Sequence, residues 1–202
     1  EATWPLLAYD ALALKTGADL FVEWLPKFDP RVMVDDAARA AWDAAWAPIL
    51  KRAAEGAIAF THRDYHAENL LWLPDRAGIA RVGLIDFQDC VLAHPSWDLH
   101  FLLQDARRDV SPELEARALD HYFALRPHLD RAAFMADYAA LAALNEARII
   151  GIFSRLVVRD GKPRYANFMP RMWSHLNRNL AHPDLAAVRD WIETHVPAEV
   201  RQ

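Results

Sequence analysis

The feature that most constrains this chain is a pair of short apolar runs separated by a turn cluster, with a polar loop leading into them. Leu70-Leu71-Trp72-Leu73 and Val82-Gly83-Leu84-Ile85 have strand character. Pro74-Asp75-Arg76-Ala77-Gly78 between them is rich in turn-forming residues and folds the two runs into an antiparallel hairpin. Asn69 enters that hairpin and Asp86 leaves it. In an antiparallel pair the start of one strand lies beside the end of its partner, so Asn69 and Asp86 come together across a gap in sequence. A further apolar run, Ala57 to Thr61, feeds the loop His62-Arg63-Asp64-Tyr65-His66-Ala67-Glu68, which puts Asp64 at the same end of the hairpin.

One amide oxygen and one carboxylate make an incomplete cage for most metals. They suit magnesium, which keeps waters and completes its octahedron with phosphate oxygens. Asn69 and Asp86 are therefore the candidate ligands for Mg2+ and, through it, for the phosphates of a nucleotide. Asp64 is the candidate catalytic base, an ionised carboxylate able to accept a hydroxyl proton during phosphoryl transfer. His62, at the strand end, is expected to pack or hydrogen-bond in support of the loop. Aspartate, asparagine five residues on, and a second aspartate closing a later strand form the arrangement of the protein-kinase catalytic core.

The departures from that pattern point to a small-molecule branch. Gln88 stands where protein kinases have glycine, and no activation segment fits before His94-Pro95-Ser96-Trp97-Asp98-Leu99. His66 inside the loop, the string Ile85-Asp86-Phe87-Gln88-Asp89 and the later Pro-x-x-Asp-Leu resemble the aminoglycoside phosphotransferase and choline kinase-like family. Residues 63–74, 83–89, 102–110 and 161–165 look like one subfamily, amino-sugar kinases acting on N-acetylmuramate or N-acetylglucosamine in bacterial cell-wall recycling. The resemblance implies ATP and Mg2+ and transfer to the anomeric hydroxyl. It also implies the C-terminal lobe of a protein-kinase-like fold, with Asp64 as base, Asn69 and Asp86 on the metal, and His66 and Asp98 supporting the loop. Glu68, Gln88 and Asp89, on the same loops, are candidate substrate contacts.

Only sixty-one residues precede His62, and the chain opens with Glu1. Nothing there reads as the strand-rich lobe that supplies a phosphate-binding lysine and its glutamate partner. Tyr9 to Lys15 and Leu20 to Leu25 read instead as amphipathic helices. The expectation is a single domain over 1–202, a C-lobe whose N-lobe is absent and which has little activity alone.

The remainder reads as helix, giving a mainly α chain with a small β-hairpin element (α+β). Asp35 or Asp36 caps a helix from Ala37 to Ala54, which Pro48 should kink or split. Ser111-Pro112-Glu113 starts another, running through Leu125. Asp130 caps the longest periodic stretch, with Phe134, Tyr138, Leu141, Ile149, Ile152 and Phe153 at helical spacing. On it, Asn145, Glu146 and Arg148 are polar insertions that either face a substrate cleft or form a solvated side. Lys162 and Arg164, in a cationic turn beside Tyr165, join Arg148 as candidates for binding the carboxylate of an acidic sugar; the alternative is a basic surface turn. Residues from Met172 to Leu180 and from Leu185 to Val196 form the last helices, their Met and Trp side chains belonging to the core.

Composition narrows the function classes. With 28 acidic against 23 basic residues, a net charge of -5 does not suit a nucleic-acid partner. There is no apolar run of eighteen residues to span a membrane. The single cysteine, Cys90, excludes an internal disulfide framework, suits the cytoplasm and lacks an adjacent base that would make it a nucleophile. Rival readings are an aminoglycoside or other small-molecule kinase, a metal-dependent hydrolase using His62, His66, His94 and His100, and a noncatalytic binding module.

Overall fold

The computed structural model describes residues 5–201. Seven α-helices and two small antiparallel sheets account for most of them. Helix α1 (Ala11–Phe28) starts at Asp10, whose carboxylate accepts from Ala13 N. The two helical segments expected before residue 26 are thus one helix. Gly17 lies within it, and the burial of Leu14, Ala18, Phe21, Val22 and Leu25 along one face outweighs the weak propensity of a single glycine. Helix α2 (Asp36–Glu55) is capped by Asp35 and runs unbroken through Pro48. Trp42 and Trp46 before the proline and Ile49, Leu50 and Ala53 after it are buried together, so packing holds the helix across the missing hydrogen bond.

Strand β1 (Ala59–Thr61) leads to the polar loop. Strands β2 (Leu70–Trp72) and β3 (Val82–Leu84) form the hairpin, paired Leu70 to Leu84, Leu71 to Gly83 and Trp72 to Val82. The antiparallel hairpin is the one expected, and its register carries Asn69 opposite Ile85. Strand β4 (Val91–Ala93), which the sequence reading did not anticipate, pairs antiparallel with β1. Its three residues are too few to show a period, and its identity as a strand depends on partners at β1 and at Leu7 to Tyr9, which bond to Leu92 along the other edge.

Helices α3 (Trp97–Leu103), α4 (Pro112–Ala124), α5 (Arg131–Val158), α6 (Met169–Asn179) and α7 (Ala186–His195) complete the chain. Ser111 and Asp130 cap α4 and α5 as expected. Helix α5 is the central rod, packed chiefly on α1 and α6. It approaches α1 so closely at Gly151 that a Cβ there would stand 2.3 Å from the carbonyl carbon of Leu20, leaving room only for glycine. Phe21 and Trp42 stack at 5.2 Å, and Trp191 meets Trp42 edge-on at 4.7 Å. A smaller cluster of Leu103, Leu119, Phe123, Phe134 and Tyr138 lies under α4. No described helix is long and apolar enough to cross a membrane.

Candidate active site

The loop after β1 is held from both ends of α3. Asp98, in the first turn, accepts from His62 N at 2.6 Å and Arg63 N at 3.0 Å. Asp105, just beyond the last turn, accepts from Ala67 N at 3.3 Å and Arg107 N at 2.8 Å. Between those anchors Arg63 takes a φ of 75°, a left-handed conformation costly for a long side chain. Asp98 and the indole of Trp97, which donates to the Arg63 carbonyl at 3.3 Å, hold it there. Burial pushes the Asp98 carboxyl above its ordinary range, opposed by the two backbone donors.

Asp64 stands on this braced loop with about half its side chain exposed. Asn69 donates through Nδ2 to the Asp64 carbonyl at 2.9 Å and lies 3.4 Å from Oδ2. The His66 ring is 3.4 Å from the same oxygen through Nε2, while its Nδ1 accepts from Glu68 N, an arrangement that leaves the ring proton on Nε2. This neighbouring ring, against the opposing effect of burial and with weaker help from Arg148 and Arg107, holds the Asp64 carboxyl below its usual value.

Asp86 arrives from the other strand. The Ile85 N–H donates to the Asn69 carbonyl at 3.2 Å, so the chain delivers Asp86 beside Asn69 as the hairpin argument requires. His62 ties the two loops together, its Nε2 2.8 Å from the Ile85 carbonyl. Asp86 also has a positive φ, 63°, and accepts from Gln88 Nε2 at 2.6 Å. An amide oxygen and an exposed carboxylate are donors that would suit magnesium, which takes oxygen ligands and keeps several waters. No group of three His, Cys, Asp or Glu side chains among the described residues forms a protein-only cage. The four histidines named for a hydrolase have separate partners: the Ile85 carbonyl for His62, Asp64 for His66, and Asp137, 3.3 Å away, for His94. His100 is wholly buried against Trp97, where desolvation pushes its pKa down to about 3.

Asp64 and Asp86 open onto a cavity of about 260 Å³. Its far wall comes from Phe101 and Gln104 at the end of α3, from Arg107, and from Arg148, Ile152 and Phe153 on α5. A wider apolar groove of about 720 Å³ lies beyond, where Phe60, Leu84 and Phe87 face Leu6 and Leu7. Arg63 and Asp89 line both. Glu68 stays at the rim, paired with Arg107 at 3.1 Å. Cys90 lines the groove, its thiol pushed up by burial and by Asp98 and Asp89, which leaves it a poor nucleophile.

Several expectations need correction. Lys162 and Arg164 are exposed and not among the cavity's lining residues. Helix α5 continues ten residues past Arg148 to Val158, a rise of roughly 15 Å that carries the cationic turn away. Asn145 and Glu146 are buried and do not line the cavity. Glu146 accepts from Asn179, and burial holds its carboxyl well above the usual range.

Asp105, Gln104 and Arg107 were missed. Gln104 donates to Glu115 at 3.1 Å and accepts from Asn179 at 2.7 Å, so a buried polar network backs the cavity wall. The only sequence signal was that Leu102 to Val110 belongs to the subfamily-like stretches.

The sequence profile of the phosphotransferase enzyme family matches residues 3–144. The chain is 60% identical, over 201 residues, to the N-acetylmuramate/N-acetylglucosamine kinase of Caulobacter vibrioides, covering all of this chain and 55% of that protein. It is 28% identical to the protein of the same name from Pseudomonas putida, over 93% of this chain and 56% of the relative. A third such kinase, from Neisseria meningitidis, is 26% identical over 84% of this chain and 51% of its own length. The chain thus spans about half the length of the curated relatives it matches.

Proposed function

Because the chain belongs to the phosphotransferase enzyme family, we propose that it carries the catalytic half of an ATP-dependent small-molecule kinase. The acceptor is the anomeric hydroxyl of N-acetylmuramate or N-acetylglucosamine, and the product is a sugar 1-phosphate of cell-wall recycling. Asp64 and Asp86 line one cavity, and Asn69 is bonded to both of their loops, through Nδ2 to the Asp64 carbonyl and through its own carbonyl to Ile85 N; this is the observation that carries the reading. The 60% identity to a kinase of that name supports the choice of sugar.

In this reading the acceptor occupies the polar cavity, whose volume lies at the small end for ligand sites. Asp64 accepts the hydroxyl proton as the oxygen attacks the terminal phosphoryl group. Asp64 is ionised at neutral pH, as a proton acceptor must be, and the His66 ring lowers its pKa further. Asp98 in the first turn of α3 and Asp105 just beyond its last turn hold the loop that carries this carboxylate, so orientation is established before substrate arrives. Asn69 and Asp86 would hold magnesium, which when bound would neutralise charge on the nucleotide phosphates.

The nucleotide-covering lobe is proposed to come from the portion of the relatives' length that this chain does not span. Phe60 is 64% exposed and Phe87 61%, and both border the groove next to the catalytic loop. Apolar area of that kind beside a polar site marks an interaction surface. A single cysteine, which allows no internal disulfide, and the proposed use of ATP support a cytoplasmic location.

The test is turnover by the full-length protein with ATP and magnesium, reading sugar 1-phosphate. Asp64→Asn is expected to lower kcat by roughly 10²- to 10⁴-fold while calorimetry still detects sugar binding. Unreduced turnover would remove Asp64 as base. Residues 1–202 alone should show little or no turnover, and robust activity by them would overturn the need for a second lobe.

A further inference from the structure

Helix α5 contains one anomaly in its most buried stretch. From residue 140 to residue 151 every position is buried except Arg148, whose side chain emerges in the cavity that Asp64 and Asp86 also line. A charged side chain in such surroundings ordinarily finds a carboxylate, because an unpaired charge in low dielectric is costly. Arg148 forms no ion pair among the described residues. Arg107, on the same wall, already has Glu68 at 3.1 Å and Asp105 at 4.0 Å.

Arg148 is also held in place. Its stem crosses α1 at Gly17, where a Cβ would stand 3.0 Å from Arg148 Cδ, so the lack of a side chain there makes the passage. Its Nη1 donates to Asn145 Oδ1 at 3.1 Å, and Asn145 is itself buried. One guanidinium nitrogen is thus fixed by a neutral acceptor, while the charge has no carboxylate partner among the described residues. Fixing a rotamer-rich side chain before binding lowers the ordering cost that a ligand would otherwise incur.

We propose that Arg148 is a preorganised anion site that recognises the carboxylate of an acidic amino sugar. This rests on the acceptor reading given above, and it makes Arg148 the residue that favours N-acetylmuramate, which carries a lactyl carboxylate, over neutral N-acetylglucosamine. A planar guanidinium with free donors suits a carboxylate. Arg148 and Asp64 line the same cavity of about 260 Å³, which puts the anion site and the base within reach of one small substrate.

The experiment compares kcat/KM for the two sugars in the full-length enzyme. Arg148→Gln should lower the value for N-acetylmuramate by about 10- to 100-fold, the scale of a lost charge-assisted hydrogen bond, and lower that for N-acetylglucosamine far less. Arg148→Lys, which keeps the charge without the fork, should fall between wild type and Arg148→Gln in the ratio of the two. Gly17→Ala, which displaces the stem, should shift the ratio in the same direction by a smaller factor. The methyl ester of N-acetylmuramate, having no charge, should lose no more than N-acetylglucosamine does. Equal losses on both sugars in the Gln and Lys variants would overturn the inference and leave the acceptor reading standing. A wild-type enzyme that phosphorylates neither sugar would remove the acceptor reading and this inference together.

Discussion

The helical body and the hairpin face treat their large apolar residues in opposite ways. Phe21, Trp42, Trp173 and Ile192 in the body are each at most 1% exposed, whereas Ile58, Trp72 and Ile79 on the face are 77%, 66% and 96% exposed. Both regions are rich in such residues, so composition does not separate them. The body closes on itself because α5 packs against both α1 and α6, Phe21 of α1 meets Trp173 of α6 edge-on at 5.7 Å, and α7 fastens to α2 through Trp191 Nε1 and the Ala38 carbonyl at 2.7 Å. The hairpin has only two strands of three residues and too little area to bury either side. The loop after β1 lies on the border between them. It takes rigidity from α3 on the body side and presents Asp64 and Asp86 toward the open one.

The largest test of that contrast is Trp42→Ala, which removes a stacked indole from the centre of the body. It should destabilise the chain by about 3–5 kcal/mol in urea denaturation. A loss below about 1 kcal/mol would mean that the body is not the cooperative core. Next comes acidity. His100 is neutral in the fold, with its pKa near 3, while an unfolded histidine takes a proton near 6.5. The unfolded state therefore binds the extra proton first as pH falls, so this contribution is complete above pH 6.5 and declines toward pH 3. Its share should be about 2 kcal/mol lost at pH 5 relative to pH 8. His100→Leu should flatten the pH dependence of the denaturation midpoint, and an unchanged slope would show that His100 does not carry it. The smallest effect belongs to the face. Trp72→Ser and Phe87→Ser should each change the stability of this chain by no more than about 0.5 kcal/mol, while reducing its binding of an apolar dye. A loss comparable to that of Trp42→Ala would erase the distinction between the two regions.

Much of the site was legible because it is built from local rules. The turn cluster after Leu73 establishes the hairpin, and the antiparallel register then brings Asn69 and Asp86 together. Asp35, Ser111 and Asp130 mark helix starts through hydrogen bonds spanning two or three residues. What was not legible depends on distant partners. Strand β4 needs β1 thirty residues away, and the Gln104 network needs Asn179, 75 positions along the chain. Asn145, Glu146 and Arg148 looked equivalent in sequence. The structure separates them: Glu146 is paired inside the body, Asn145 is bonded to Arg148, and Arg148 reaches the cavity.

The sequence by itself determined the hairpin, the carboxylates and amide at its open end, and the starts of the helices, because strand alternation, turn chemistry and capping act over a few residues. Only the tertiary structure decided that α1 is one helix, that α2 survives Pro48, and that Arg148 rather than Lys162 or Arg164 lines the cavity. Those outcomes depend on which surfaces of remote segments meet. Gly17 and Gly151 acquire their meaning only when another helix passes over them.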